Sequence, residues 1–353
     1  MNIWNKLPKG FVGLAPMDGV TDYLYRHIMM KFGKPDLLMT EFTAVEGLAR
    51  NAIKLLRDFR YDDNDRPILA QVFGIDPECF YKSAIIVCEL GFDGIDINMG
   101  CPAKKVSARG SGASLIDNPK LASEIIKAVK SGVEDYKNGK GIEDLGLKQK
   151  MVTAIRDESK KHKRKNREKI PVSVKTRIGT TKNVVDEWIS FLLEHDIAAI
   201  SVHGRTLKQM YSGQADWEAI GKASELCRAN NVKIVGNGDV DSLDDARDKI
   251  EKYKLNGVLI GRASFGNPWV FSGKTPTIQE RIDLAIYHCK KFEEVYNSEV
   301  FYAMRKHLGW YIKGISGAKK VRQKLMLVNG SEEVVEILSE LGEKKGLEFF
   351  NYQ

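Results

Sequence analysis

The feature that most constrains this chain is an alternation, kept up from residue 10 to about 270, of short apolar runs and amphipathic helical stretches. The runs are Phe11 to Ala15, Leu37 to Met39, Ile68 to Val72, Gly94 to Ile97, Val172 to Lys175, Ala198 to Val202, Lys233 to Val235 and Gly257 to Ile260. Eight strands alternating with helices predict a closed parallel (β/α)8 TIM barrel over an open doubly wound sheet. After Pro276 the pattern is helical only, with Ile278, Ile282, Ala285, Ile286, Cys289 and Phe292 at helical spacing as one buried face. Three more helices are predicted, over Phe301 to Gly314, Ala318 to Val328 and a last one N-capped by Ser331, enough for a small bundle. The expected fold class is therefore α/β: a TIM barrel over residues 1–274 and a small all-α helical-bundle domain over 275–353. With 43% apolar residues the chain can bury a core of that size.

A barrel of this kind builds its site at the C-terminal ends of its strands, and the polar residues cluster there. They are Pro16, Met17 and Asp18; Glu41; Gln71; Asn98; Lys175 and Arg177; His203 and Arg205; Asn237, Gly238 and Asp239; and Gly261 with Arg262. Gln71 inside a strand is either satisfied in the core or a ligand group. Lys175 at the rim needs an anion or an acceptor to offset its burial. His203 either caps its strand or touches a ligand, and its Gly204–Arg205 context favours the ligand. Glycine turns after strands seven and eight are where barrels commonly bind phosphate through backbone N–H groups, which points to a phosphorylated cofactor.

The fourth strand carries an acid, Asp96, and breaks at Asn98-Met99-Gly100 into a loop with Cys101 between Gly100 and Pro102. Such a thiol can be a nucleophile, a metal ligand, a general acid or filler. No second cysteine lies at a ligand spacing, which argues against zinc. Beyond the loop, Asn118 as N-cap with Pro119 at the first position announces a helix.

Charge is concentrated in two places. Lys148 to Lys169 holds ten Lys/Arg against three Asp/Glu, and Phe301 to Gly330 holds seven with no acid, so the rest of this +8 chain is net acidic. Such runs suit a polyanion, although a solvated helix face has the same composition. Arg305-Lys306-His307 with Trp310-Tyr311 interleaves basic and aromatic residues in a way that suits loop or single-stranded RNA, while either aromatic alone reads better as bundle core. Five scattered cysteines (Cys79, Cys88, Cys101, Cys227 and Cys289) argue for a reducing cytoplasm. No apolar run is long enough to span a bilayer, so no membrane partner is expected.

Leu14-Ala15-Pro16-Met17-Asp18-Gly19-Val20-Thr21-Asp22, Asn98-Met99-Gly100-Cys101-Pro102, Val174-Lys175-Thr176-Arg177, Val202-His203-Gly204-Arg205-Thr206, Gly236-Asn237-Gly238-Asp239 and Gly261-Arg262-Ala263 resemble the motifs of the tRNA-dihydrouridine synthases, in that family's order and most like its bacterial branch. The resemblance implies FMN held by Pro16, Met17, Asp18, Gln71, Lys175, His203, Asn237, Gly238, Asp239, Gly261 and Arg262, with NADPH as reductant. It implies that Asn98, Arg177 and Arg205 face the uracil, that Cys101 protonates C5, and that Arg305 and Lys306 belong to a helical tRNA-binding domain. A cytoplasmic monomer acting on tRNA is the expectation; the alternative is an FMN-dependent oxidoreductase of a free pyrimidine. The chain departs from the family between about 132 and 169, where a polar glycine-bearing stretch and a basic helix from Leu147 to Lys169 are predicted. That insertion is either surface decoration or an added contact to RNA.

Overall fold

The computed structural model describes residues 2–162, 167–296 and 298–343. It divides into two compact units, one of Met1–Tyr23 and Pro35–Gly261 and the other of Leu24–Lys34 and Arg262–Gln353.

The first unit is a ring of parallel strands. In chain order they are β1 (Phe11–Leu14), β2 (Leu38–Met39), β3 (Thr43–Ala44), β4 (Ile68–Phe73), β5 (Gly94–Met99), β6 (Val172–Arg177), β7 (Ala199–His203), β8 (Lys233–Asn237) and β9 (Gly257–Ile260). Each of the eight expected runs forms a strand; Thr43–Ala44 adds a short ninth that pairs only with β4. Pairing runs β1-β9-β8-β7-β6-β5-β4-β2, and a parallel bridge between Gly13 and Leu37 joins the ends, so the barrel is closed. At this seam Leu14 N–H donates to Leu37 O at 2.9 Å, and the Asp36 carboxylate accepts Val12 N–H at 2.9 Å. Gly13 is required there: a Cβ would lie 3.0 Å from Leu37 O and 2.9 Å from Leu259 Cδ2.

The floor of the barrel is apolar. Phe11, Ala15, Leu37, Met39, Leu69, Ala199, Val235 and Leu259 pack together, and Trp4, on a short 3-10 turn before β1, joins them at 3% exposure. Burial of this kind drives closure, at roughly 25 cal/mol per Å² of apolar surface removed from water. Helices cover the outside, among them Pro77–Glu89, begun by an Asp76 cap, and Pro119–Lys137, whose cap Asn118 accepts Leu121 N–H at 3.2 Å.

The expected insertion is less extended than its sequence suggested. Residues 132–137 are the last turns of Pro119–Lys137, with Gly132 against the Tyr81 carbonyl. The basic helix is Gln149–Ser159 rather than Leu147 to Lys169, and residues 163–166 lie outside the described residues. It buries Met151, Val152 and Ile155, and past its end His162 stacks flat on Tyr61 at 3.8 Å. Ser159 Oγ donates to Glu89 O and Lys148 N–H to Asn51 Oδ1, both at 2.7 Å. The apolar stripe docks the segment on the barrel flank, while Arg156, Lys160 and Lys169 pair with Glu143, Asp157 and Glu134.

In the second unit the helices are Ile278–Tyr296, Arg305–Tyr311, Ala318–Leu325 and Ser331–Glu343. Helix Tyr23–Phe32 supplies all but its first residue to this unit, because its aromatic face is used here: Tyr25 OH donates to Ser264 O at 2.9 Å, and Phe32 meets Trp269 and Tyr287 edge-on. Cys289 and Phe292 are core as expected, whereas Ile278 is 37% exposed at the helix start. Ser331 opens the last helix and bonds to Glu293 of the neighbouring helix rather than capping its own first turn. Among the described residues no helix is long and apolar enough to cross a membrane.

The barrel floor yields a stability prediction. Trp4→Ala should lower the urea-unfolding free energy by about 3 kcal/mol or more, the usual consequence of emptying a large core site. Trp4→Phe should change it by less than about 1.5 kcal/mol, because the indole Nε1 has no hydrogen-bond partner among the described residues to lose.

Candidate active site

Parallel pairing lines up the interior-facing residues of successive strands in rows. One row is Gln71, Asp96 and Ser173, a second Asn98, Lys175 and Ser201, a third Arg177, His203 and Asn237. Every expected residue of the first unit thus sits on or just past the C-terminal half of its strand.

The rows are hydrogen-bonded to one another. Asp96 is fully buried; its Oδ1 accepts Ser173 Oγ–H at 2.6 Å and its Oδ2 accepts Gln71 Nε2–H at 2.8 Å. Gln71 Oε1 accepts Asn98 Nδ2–H at 2.9 Å. Asn98 Oδ1 in turn accepts the backbone N–H groups of Gly100 at 3.0 Å and Cys101 at 2.8 Å. Gln71 is therefore satisfied within the core by two partners, and its amide retains further capacity. Lys175 Nζ donates to Asn237 Oδ1 at 3.1 Å, and Asn237 Nδ2 donates to Leu259 O at 2.9 Å, which sets the orientation of that amide. Ser201 Oγ, in register with Lys175, is buried with no hydrogen-bond partner among the described residues.

Burial dominates the electrostatics here. It pushes the Asp96 carboxyl up to about 6 against the pull of Ser173, Gln71 and Lys175. It draws the Lys175 ammonium down to about 8, helped by Arg177 and opposed by Asp96 and Cys101. Arg177 falls to about 10, again chiefly through burial. The Cys101 thiol, 8% exposed, is raised by burial and by Asp18, against a backbone hydrogen bond at Ala103 and the charges of Arg177 and Lys175. A thiol raised in this way stays protonated at neutral pH.

The two arginines expected to face a substrate are held by backbone. Arg177 Nε donates to Gly100 O at 2.7 Å and its Nη1 to Thr206 O at 3.0 Å, tying the cysteine turn to the loop after β7. Arg205 is 2% exposed; its Nη2 donates to Gly213 O at 2.5 Å and to Asp239 Oδ2 at 2.6 Å. Asp239, left-handed at φ 48°, also accepts Ala215 N–H at 2.8 Å, so Arg205 and Asp239 together brace the loop from Gly204 to Asp216. Gly238 has φ 119°, and a Cβ there would come within 2.8 Å of Ala215 Cβ. Pro16 and Met17 are half-buried on a turn closed by Thr21, Asp18 is exposed beside them, and Gly261 ends the unit. This set of one ammonium, three amides, an imidazole and glycine turns past β8 and β9 suits a planar polar heterocycle carrying a phosphate.

Arg262, Arg305 and Lys306 belong to the second unit. Arg305 Nε donates to Val328 O at 3.0 Å and its Nη2 to Asn329 Oδ1 at 2.9 Å, so it braces the turn after Ala318–Leu325. His307 is buried and driven well below an ordinary imidazole by burial and by His288, so only Lys306 of that basic triplet is both exposed and cationic. Tyr311 is core at 1% exposure, whereas Trp310 is half-buried and stacks on Phe265 at 4.0 Å. Asp96 and Ser173 were not singled out as site residues; the available signal was an acid flanked by Ile95 and Ile97 in a buried strand.

Comparison with known proteins places the chain in a family. The family model described as dihydrouridine synthase matches residues 13–141 and 142–345. A probable tRNA-dihydrouridine synthase of Staphylococcus aureus (strain MRSA252) is 34% identical over 351 residues, covering 96% of this chain and 95% of its own. Probable tRNA-dihydrouridine synthase 2 of Bacillus subtilis (strain 168) is 33% identical over 354 residues, covering 97% of both. Among solved structures, morphinone reductase in complex with tetrahydroNAD aligns over 75% of this chain and 85% of that one at TM-score 0.44 and 12% identity, a likeness too slight to argue from. On the family match and the full-length relatives, the chain belongs to the dihydrouridine synthase family.

Proposed function

We propose that this protein is an oxidoreductase that reduces the C5=C6 bond of uridine in tRNA, with FMN as cofactor and NADPH as reductant. The observation that carries the reading is a Cys101 thiol kept protonated on a turn held from one side by Asn98 and from the other by Arg177. The family membership and the named activity of the full-length relatives support it.

The residues present fit FMN on the chemistry of their donors. Gln71, Lys175, His203 and Asn237 would serve the ring system. The turn Asn237-Gly238-Asp239 with Gly261 would serve the phosphate, and Pro16, Met17 and Asp18 the edge of the site. Bound FMN, once reduced by NADPH, would supply the hydride for C6.

Addition of a hydride at C6 sends charge toward C5 and O4, and the residues must stabilise it and then protonate C5. Arg177, buried and cationic, supplies the fixed positive field, and Asn98 retains one N–H beyond its bond to Gln71. Lys175, at about 8, is still mainly an ammonium near pH 7 and would stabilise negative charge on a bound flavin. Cys101 Sγ–H gives its proton to C5 and the resulting thiolate is reprotonated from solvent, so hydride and proton together complete the two-electron reduction. Arg205 acts through the loop that it and Asp239 hold. In the second unit the exposed Lys306, Lys313, Lys319, Lys320 and Arg322 would meet the RNA backbone.

Cys101→Ala should keep bound flavin and its reduction by NADPH yet slow uridine reduction by about a hundredfold or more, read by mapping dihydrouridine in unmodified tRNA transcripts. In the wild type, loss of the Lys175 ammonium at about 8 should begin the alkaline fall in activity, and the loss due to Cys101 should come only above the thiol's ordinary value of roughly 8.5, because burial raises the Cys101 value and the reaction needs the protonated form. Near-normal product from Cys101→Ala, or turnover of free uracil or dihydroorotate in place of tRNA, would refute the reading.

For the flank helix, deletion would strip Met151, Val152 and Ile155 from the barrel wall, so charge changes are the cleaner probe. Lys150→Glu with Lys160→Glu should weaken tRNA binding and lower the slope of log affinity against log salt by up to about 2, with flavin content unchanged. An unaltered slope would make the segment a structural addition.

A further inference from the structure

We infer that Asp96 is a positioning residue, whose buried carboxylate orients the Gln71 and Asn98 amides and through them fixes the Cys101 turn. The inference rests on the proposed reading of Cys101 as proton donor and concerns what holds that donor in place.

The case follows from donor and acceptor parity. At one end of the chain of bonds stands an ionised carboxylate, which can only accept. At the other end stand the N–H groups of Gly100 and Cys101, which can only donate. Between them lie two side-chain amides, each able to turn over by 180° and exchange its oxygen for its nitrogen. With both ends fixed, one arrangement satisfies every link: Gln71 turns Nε2 to Asp96 and Oε1 to Asn98, and Asn98 turns Nδ2 to Gln71 and Oδ1 to the turn. If Gln71 flips, two N–H groups face each other at Asn98; if Asn98 follows, it points a donor at two donors and the turn is released. Ser173 Oγ–H occupies the other carboxylate oxygen, so Asp96 itself cannot rotate freely.

The placement is unfavourable for folding, which separates positioning from mere support. Burial raises the Asp96 carboxyl from 3.8 to about 6. A folded-state value raised in this way means that stability falls as pH rises through this window, and the full penalty stands above it. A purely structural group at this point of the barrel would be better uncharged, as buried sites that trade stability for function commonly show.

Asp96→Asn is the test, because it keeps the volume and removes the obligate acceptor. At pH 7.5 the variant should melt no lower than wild type and bind flavin. Amide hydrogen exchange in the 99–103 segment should quicken by about tenfold or more. Uridine reduction should slow by about tenfold or more while KM for tRNA stays within about twofold. Ser173→Ala, which frees one carboxylate oxygen but leaves the Asp96–Gln71 bond in place, should quicken exchange and slow turnover less than Asp96→Asn does. Gln71→Glu, which sets a second carboxylate against Asp96, should loosen the same segment and tests the inference even if Asp96→Asn does not fold. Wild-type exchange in folded Asp96→Asn or in Gln71→Glu would overturn the inference, as would a lowered melting point with equal losses in every readout, or a Ser173→Ala as loose as Asp96→Asn. Exchange is measured without substrate, so the inference can fail while uridine reduction stands; absence of uridine reduction by the wild type would instead sink the reading beneath it.

Discussion

Closure of the parallel ring at the Gly13–Leu37 bridge is the constraint from which the rest of the barrel follows. Side chains alternate across a strand, so once the ring is closed every second residue must go inside. The lower interior positions are apolar and pack on Trp4. The upper ones are Gln71, Asp96, Asn98, Ser173, Lys175 and Arg177, and they satisfy one another because register places them side by side. A slip of one residue in any strand would exchange this row for apolar side chains meant for the helix layer.

A polar interior of this sort is unfavourable on its own, since each buried donor or acceptor must recover the water it lost. The opposite shifts of Asp96 and Lys175 record that burden: desolvation raises the acid and lowers the base, and their mutual attraction only partly offsets it. The arrangement makes physical sense as a rigid mounting for a short turn. That turn is bonded to Asn98 below and to Arg177 at its side, so the Cys101 thiol has few ways to move.

Much of this was legible in the amino-acid order. Buried parallel strands need apolar runs, so all eight were visible, and the polar residues Gln71, Asn98, Lys175, His203 and Asn237 could be placed toward the C-terminal ends of those strands from sequence alone. Local signals such as Asn118-Pro119 also held, because capping is decided within four residues. What sequence reasoning missed was decided by partners distant in the chain. The carbonyls that hold Arg177 and Arg205 belong to loops that only the closed ring brings near, so these bonds could not be read from the residues around either arginine. The basic helix ended ten residues early because its length follows the apolar stripe of Met151, Val152 and Ile155 and not its charge. His307 read as part of a cationic triplet and is a neutral core residue beside His288 and Tyr25.

By itself, then, the order of residues determined the strand count, the barrel, the helical end of the chain and the turn that carries Cys101, since each depends on periodicity or on neighbours a few residues away. Only the tertiary structure decided which polar groups meet. The bond from Asp96 to Gln71 spans 25 residues and that from Ser173 to Asp96 spans 77, and both exist because neighbouring strands of a closed ring share one register.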